Sequence, residues 1–231
     1  MRASPKIADF TGEDLQHANR GAAAPGRRAR RAATLRRIRR IGARATSKRI
    51  CYDPQVPASA PLGVSEQEYL AIGETQERME LVDGEICVPP APTRSHQHAT
   101  GTIYALLRAW ADAQLEPYFV GLAPLDLHLG PSRIVQPDVF VVRGIVDLGA
   151  TGPIEQIPVL CVEVLSTNRV YDRVTKRFLY GEAGVPEYWL VDPVTQTVEI
   201  LFGVGLAGSR SFDGEFPGGL VEGLAQRLRA G

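Results

Sequence analysis

Two carboxylates stand in apolar segments of this chain, where a charge is costly. Glu163 lies within residues 159–165, an otherwise apolar run that is typical of a strand buried on both faces. Asp138 follows Pro137 and heads a second apolar segment, residues 139–142. A buried charge must be neutralised, paired or bound to a metal. Two carboxylates at adjacent strand ends would form the hard-oxygen site that Mg²⁺ prefers.

Each of these carboxylates also has a purely structural interpretation. Glu163 could point to water from an edge strand, or form a lone salt bridge. Asp138 could belong to a turn, because Pro-Asp is common turn chemistry. The apolar surroundings favour a functional site, and both alternatives stay open on the sequence alone.

Lys176 is the nearest cation that could complete such a site. Asp172, Lys176 and Tyr180 are spaced i, i+4, i+8, so they share one face of a predicted helix that directly follows the Glu163 strand. A solvated ion pair between Asp172 and Lys176 is the alternative, and it would contribute only a few tenths of a kcal/mol.

Glu80 and two histidines carry weaker signals. Glu80 opens a strand before Asp83-Gly84 and indicates no chemistry by itself. His96 and His98 precede a predicted helix, where a histidine can cap the helix or face solvent as readily as take part in catalysis.

Apolar periodicity and turn residues predict the elements that position these side chains. Asp83-Gly84 is a strong hairpin signal, and Val170, Val174 and Phe178 at i, i+4, i+8 mark a helix. The predicted helices are residues 65–72, 99–113, 170 to about 181–184 and 221–228; the predicted strands are 78–82, 85–88, one or two within 118–129, 139–142, 159–165, 187–191 and 197–202; residues 203–219 are a Gly-rich loop. This order predicts one mixed α/β (α+β) domain.

The net charge of zero conceals a division of the chain. Residues 1–60 carry 14 Lys+Arg against 4 Asp+Glu, and residues 61–231 carry 12 against 22. The first part is therefore predicted to be a basic, Arg-rich arm, disordered in isolation, joined to an acidic domain. The arm has four interpretations: contact with nucleic-acid phosphates, a tail without a role, an organellar transit peptide, or translated DNA upstream of the true start.

Several protein classes are excluded by composition. The three cysteines, Cys51, Cys87 and Cys161, are far apart and form no CxxC pair, which argues against a disulfide framework or a zinc site. The first ten residues lack the apolar segment of a secretory signal, and no stretch approaches the roughly 18 apolar residues of a membrane span. These features favour the cytoplasm.

Six motifs, in order over residues 64–202, resemble the Uma family of restriction endonucleases, within the PD-(D/E)XK nuclease superfamily. Any one motif would be weak evidence, but the ordered set is specific. The motifs are Glu80-Leu-Val-Asp-Gly-Glu85; Pro92 with His96-Gln97; Gln136-Pro-Asp138-Val; Val162-Glu163-Val-Leu-Ser166; Asp172, Lys176 and Tyr180; and Gly184-Val-Pro-Glu-Tyr-Trp-Leu-Val-Asp-Pro193.

The resemblance implies a fold and a set of site residues. It implies a restriction-endonuclease-like core, a mixed β-sheet flanked by helices, within a nuclease domain at residues 61–231. The implied catalytic residues are Glu80, Asp138, Glu163, Lys176 and His96, of which the histidine has the least secure role. The superfamily signature places a lysine where Leu165 stands here, and the resemblance assigns that function to Lys176 on the following helix.

The resemblance also implies an activity. It implies an endonuclease that hydrolyses phosphodiester bonds, most readily in DNA, with Mg²⁺, or Mn²⁺ as a substitute, held by Asp138, Glu163 and Glu80. Related endonucleases act as homodimers to cut both strands, which makes a homodimer a further expectation. Two alternatives remain: a catalytically inactive nucleic-acid-binding or scaffold domain that keeps the nuclease fold, and a metal hydrolase acting on a small phosphoester.

Overall fold

A computed structural model describes residues 63–73, 78–166, 169–212, 214 and 216–230 of the chain. The predicted basic arm at residues 1–60 lies outside this part. The strands are β1 (Glu80–Val82), β2 (Glu85–Cys87), β3 (Tyr118–Leu122), β4 (Leu127–Gly130), β5 (Arg133–Val135), β6 (Val139–Arg143), β7 (Leu160–Val164), β8 (Glu187–Asp192), β9 (Thr197–Phe202) and β10 (Gly208–Ser211). The helices are α1 (Glu66–Leu70), α2 (Arg94–Asp112), α3 (Arg177–Glu182) and α4 (Leu224–Ala230), with a π-helical turn at Tyr171–Lys176 and 3₁₀ turns at Val204–Leu206 and Gly218–Val221. None of the helices described is long and apolar enough to cross a membrane.

The strands form two sheets. The larger has the order β10-β9-β8-β7-β6-β3, in which β7 and β8 are parallel and all other neighbours are antiparallel. The smaller has the order β2-β1-β5-β4 and is antiparallel throughout. The π-helical turn and α3 form the crossover that the parallel pair β7–β8 requires.

Strand β7 is buried on both faces, at the centre of the larger sheet. Val162 and Val164 point into an apolar cluster that includes side chains of α2 and α4. Cys161 and Leu165 point into a second cluster, which includes Leu179 of α3. Glu163 has the same parity as Cys161 and Leu165, so its carboxylate enters the layer between the sheet and α3.

Most predicted elements are confirmed, and the hairpin shows why. Asp83 and Gly84 adopt φ values of 49° and 86°, the left-handed conformations that a two-residue hairpin turn requires. Ser65 forms a capping box with Glu68, which starts α1 at the predicted position.

Three expectations about the elements were wrong. Helix α2 begins at Arg94 rather than residue 99, because Thr93 Oγ1 caps the His96 amide; His96 therefore lies inside the helix. Strand β5 was not predicted, since three residues give too little periodicity. The Gly-rich loop at 203–219 contains β10, which pairs with the edge of β9.

The helix that follows β7 is present, but its apolar stripe faces outward. Val170, Val174 and Phe178 are 59, 52 and 39% exposed, whereas Lys176 and Tyr180 are buried. Polar groups on the inner face satisfy one another there, and Leu179 packs into the apolar cluster beside them. The helix therefore buries a face other than the one that carries the stripe.

Gly121 on β3 has a packing role that can be tested. An added Cβ would lie 2.2 Å from Cζ of Phe140, whose buried ring cannot move aside. We expect Gly121→Ala to lower the free energy of unfolding by about 1–3 kcal/mol in urea denaturation, as overpacking does. Gly101→Ala on α2, where nothing lies within 4 Å, is the matched control and should stabilise the protein. Equal effects of the two changes would contradict this packing.

Candidate active site

Four polar side chains from separate elements meet between the two sheets and the helical crossover. They are Glu80 on β1, Asp138 directly before β6, Glu163 on β7 and Lys176 at the end of the π-helical turn, and all are nearly inaccessible to solvent. His96, in the first turn of α2, contacts Asp138. The structure thus brings together all five site residues expected from the sequence.

Lys176 joins two of the carboxylates. Its Nζ lies 2.6 Å from Glu80 Oε1 and 3.1 Å from Glu163 Oε1. Burial by itself would lower the pKa of Lys176, but the charges of Glu163 and Glu80 outweigh it and raise the pKa. Lys176 is therefore an ammonium ion within the protein, and the alternative of a solvated pair with Asp172 was wrong.

The π-helical turn explains how the lysine reaches Glu80. In a π-helix the backbone bonds run i→i+5, so residues five apart share a face, whereas in an α-helix they are about 140° apart. Tyr171 and Lys176 are five apart, and both contact Glu80: the Tyr171 hydroxyl donates to Oε2 at 3.0 Å. The local helix geometry thus directs two donors to one carboxylate.

Glu80 is also bound from the neighbouring strand segment. The backbone amide of Gln136 donates to Glu80 Oε1 at 2.8 Å, next to the bond from Lys176. The smaller sheet therefore holds this carboxylate at the position where the crossover helix and β7 meet.

Asp138 has donors on both oxygens. The Val164 amide donates to Oδ2 at 2.9 Å, and Nε2 of His96 lies 3.0 Å from the same atom. Nη1 of Arg78 donates to Oδ1 at 2.8 Å. Burial would raise the pKa of Asp138, but the bond to His96 and the charge of Arg78 lower it to about 2. Asp138 is thus a buried carboxylate at a bend before β6, and its side chain bonds to other elements of the fold.

Glu163 lies on a central strand, which excludes the edge-strand alternative. The Tyr180 hydroxyl donates to Glu163 Oε1 at 2.6 Å, the same atom that Lys176 contacts. Burial raises the pKa of Glu163 to about 8; Lys176 opposes this shift and the charge of Asp138 adds to it. The carboxylate therefore lies where additional positive charge would be favourable.

Arg78 was missed from the sequence, and Asp172 was given a different role there. Arg78 stands two positions before Glu80, a spacing that puts both side chains on one side of an extended segment. Asp172 was recognised on the face of Lys176 but interpreted as its solvated partner. Burial raises the pKa of Asp172 to about 6; Lys176 opposes this shift, and the charges of Asp138 and Glu80 add to it.

The charges of this cluster do not balance. Its four acids, Glu80, Asp138, Glu163 and Asp172, outnumber its two fixed cations, Arg78 and Lys176. With its pKa raised to about 8, mainly by burial, Glu163 keeps a proton near neutral pH in the metal-free site. Carboxylate oxygens, and an excess of acids over cations, fit a hard divalent cation in chemistry. Within the described ranges, however, no three His, Cys, Asp or Glu side chains are grouped at metal-ligand spacing.

Comparison with known proteins identifies the family. A family model described as "Uma2: Putative restriction endonuclease" matches residues 66–211. The chain belongs to the Uma2 family. The predicted family is therefore confirmed, and the assignment to a nuclease family with it.

A solved structure supports the fold of this Uma2-family chain. A crystal structure of a putative nuclease belonging to DUF820 from Anabaena variabilis ATCC 29413 is similar, with a TM-score of 0.54 and 24% sequence identity. The match covers 65% of this chain and 85% of that chain. At this identity the likeness establishes the fold alone, and the predicted restriction-endonuclease-like α+β core is confirmed. A search of curated proteins found no match.

The raised pKa of Glu163 predicts how stability depends on pH in this Uma2-family site. The folded chain holds the Glu163 proton more tightly than the unfolded chain, so ionisation destabilises the fold as pH rises from about 4.5 to about 8. We expect Glu163→Gln to leave the metal-free melting temperature unchanged or to raise it, most at the alkaline end, in thermal unfolding across this range.

The matched control is Glu187→Gln on the neighbouring strand, where the carboxylate pairs with Arg227 at 3.0 Å. Glu187→Gln should lower the melting temperature, because Arg227 loses its charged partner. A substantial drop on Glu163→Gln as well would mean that Glu163 is a structural salt-bridge partner.

Proposed function

We propose that this chain is a metal-dependent endonuclease that hydrolyses phosphodiester bonds in DNA. The observation that carries the proposal is a cluster of buried acids within a domain of a nuclease family. Glu80 and Glu163 contact Lys176, and Asp138 contacts Arg78 and His96. Buried, uncompensated acids are costly to the fold, so their convergence is better explained by chemistry than by stability.

Mg²⁺ is the proposed cofactor, with Mn²⁺ as a substitute. Asp138 and Glu163 would hold it, and Glu80 would complete the shell directly or through water. When bound, such a cation lowers the pKa of a coordinated water and polarises phosphate oxygens. The excess of acids over cations in the cluster, and the raised pKa of Glu163, support a cation of higher charge at this position.

Lys176 is proposed to orient the attacking water and to offset negative charge that develops on the phosphate. Its raised pKa means that Nζ keeps its proton while Glu80 and Glu163 face it, so it acts as a donor rather than as a base. Tyr180 supports this arrangement by donating to Glu163.

A nucleic-acid substrate needs positive surface beside the acidic cluster. Arg169 pairs with Asp192 at 2.7 Å, and Arg173 pairs with Glu199, both at the exposed start of the crossover. The Arg173–Glu199 pair is exposed, and exposed pairs contribute only about 0–1 kcal/mol, so Arg173 can exchange this partner for phosphate. Arg169 is half-exposed, but its partner Asp192 is buried. This local charge supports DNA binding by a domain that is acidic as a whole.

A catalytically inactive nucleic-acid-binding or scaffold domain is the second candidate. It is favoured by one observation: Arg78 and Lys176 already contact the carboxylates, as they would in a site that needs no metal. This candidate predicts nucleic-acid binding without metal-dependent turnover.

Cleavage of a plasmid with Mg²⁺ or Mn²⁺, beside an EDTA control, separates the two candidates. We expect Asp138→Ala and Glu163→Ala to abolish cleavage and to weaken Mn²⁺ binding in calorimetry, because each removes a proposed ligand. Asp112→Ala, at an exposed acid on α2, is the matched control and should change neither. If either site variant folds, binds Mn²⁺ normally and still cleaves, the site assignment is wrong.

The same assay addresses the substrate class and the assembly. RNA and a nucleotide monoester are run beside the plasmid, and turnover of the monoester alone would identify a small-phosphoester hydrolase. Direct conversion to linear plasmid would support the expected homodimer, whereas accumulation of nicked circles would support a monomer.

Lys176 can be tested separately from the carboxylates. Lys176→Met should lower cleavage by roughly two to three orders of magnitude, the range for the loss of one donor that stabilises developing charge. Because that change leaves Glu80 and Glu163 buried without their cation, it should also cost about 3–5 kcal/mol of stability. Lys176→Arg keeps the charge and should only partly rescue cleavage, since a guanidinium is bulkier and planar.

The double variant Glu80→Gln/Lys176→Met serves as the stability control, because it removes one acid and one cation and so keeps the net charge of the wild-type cluster. It should be more stable than Lys176→Met alone while remaining inactive. Cleavage at the wild-type rate in any folded Lys176→Met protein would leave the lysine without a catalytic role.

A further inference from the structure

Arg78 forms the outer wall of the acidic cluster. Its Nη1 donates to Asp138 Oδ1 at 2.8 Å, and its Nη2 donates to the backbone carbonyl of Gln136. Its Nε is buried and, among the residues described, has no hydrogen-bond partner. The guanidinium is thus held mainly by its attraction to the Asp138 carboxylate, and one of its N–H groups makes no hydrogen bond with the residues described.

The two carboxylate oxygens of Asp138 differ in how many further hydrogen bonds or ligands they can accept. A carboxylate oxygen offers about two lone-pair sites. Those of Oδ2 are taken by the Val164 amide at 2.9 Å and by His96 Nε2 at 3.0 Å. Any further partner of Asp138, including a cation, must therefore approach Oδ1, the atom that Arg78 contacts.

We propose that Arg78 is the resident counter-ion of Asp138, and that it competes with the divalent cation for Oδ1. The inference rests on the proposed function, because it concerns the same metal. In the absence of metal, Arg78 neutralises the charge of Asp138. By the same contact, Arg78 lowers the affinity of the site for metal.

The two cations of the cluster differ in their freedom to leave. The Lys176 side chain is 2% exposed and lies between Glu80 and Glu163, whereas the Arg78 side chain is 26% exposed. An arginine that reaches solvent can withdraw without burying an unpaired charge, and a fully enclosed lysine cannot. Exchange with a metal is therefore expected at Arg78 and not at Lys176.

The test measures Mn²⁺ affinity of the full chain by calorimetry, independently of cleavage. Arg78→Met removes the competing charge, and Arg78→Gln removes it while keeping a hydrogen-bond donor. We expect both to tighten the Kd for Mn²⁺ by about 10- to 100-fold, since like charges a few ångströms apart repel strongly at a partly buried site. The metal-free melting temperature should fall, and the rise on adding Mn²⁺ should be larger than in the wild type.

Arg133→Met is the matched control. Arg133 forms an ion pair of similar length with Asp83, 2.7 Å, and its side chain is 24% exposed, but this pair lies outside the acidic cluster. Its loss should leave the Kd for Mn²⁺ unchanged. A tighter Kd in Arg133→Met equal to that in the Arg78 variants would overturn the proposal, because the effect would then reflect only net charge.

The remaining outcomes separate this inference from the proposed function. Weaker or unchanged Mn²⁺ binding in a folded Arg78 variant overturns the proposed competition between Arg78 and the metal. If Arg78→Met does not fold, the Kd of Arg78→Gln provides this test. Binding of Mn²⁺ by the wild type that does not depend on Asp138 overturns the proposed metal site itself. Binding by the Arg78 variants but not by the wild type supports the competition, and binding by neither overturns both proposals.

Discussion

The contact of Lys176 with Glu80 and Glu163 is the interaction on which this site depends. Lys176 can stay charged at a position almost inaccessible to water because carboxylates face it, and without the lysine Glu80 and Glu163 would lack a contacting cation. The contact also joins the smaller sheet, the central strand of the larger sheet and the crossover helix. It therefore determines the relative placement of three elements and the orientation of the carboxylates.

The inverted amphipathicity of the crossover helix follows from that contact. With Lys176 and Tyr180 turned inward, the stripe of Val170, Val174 and Phe178 must face outward. The π-helical turn is part of the same arrangement, because it aligns Tyr171 with Lys176 on one carboxylate. Local helix geometry, apolar exposure and site chemistry thus have one common cause.

The cluster contains two kinds of positive charge. Lys176 is enclosed and contacts two acids, and its position is set by packing on every side. Arg78 stands at the rim and contacts Asp138, whose other oxygen already has two partners. The four acids of the cluster outnumber these two cations. The nuclease family and the fold are established by comparison; the metal and the DNA substrate are what we propose.

Much of the local structure is determined by the sequence, because it depends on neighbours along the chain. Ser65 and Glu68 form a capping box within one helical turn, and Asp83-Gly84 closes a hairpin by its own backbone preference. The acid in the apolar run of β7 could be singled out for the same reason, because the cost of burying it is evident from the adjacent residues. The ordered motifs then indicated the family and the expected site residues.

Only the tertiary structure decided which charges meet. Lys176 lies 96 residues from Glu80 along the chain, and Arg78 lies 60 residues from Asp138, so neither pairing can be deduced from local spacing. The strands β5 and β10 were missed for a related reason, since each is short and is stabilised by pairing with a neighbour. The face that the crossover helix buries was also decided in this way. An electrostatic contact between distant residues outweighed the local apolar pattern there, and its strength comes from burial that exists only once the sheets and the helix have packed together.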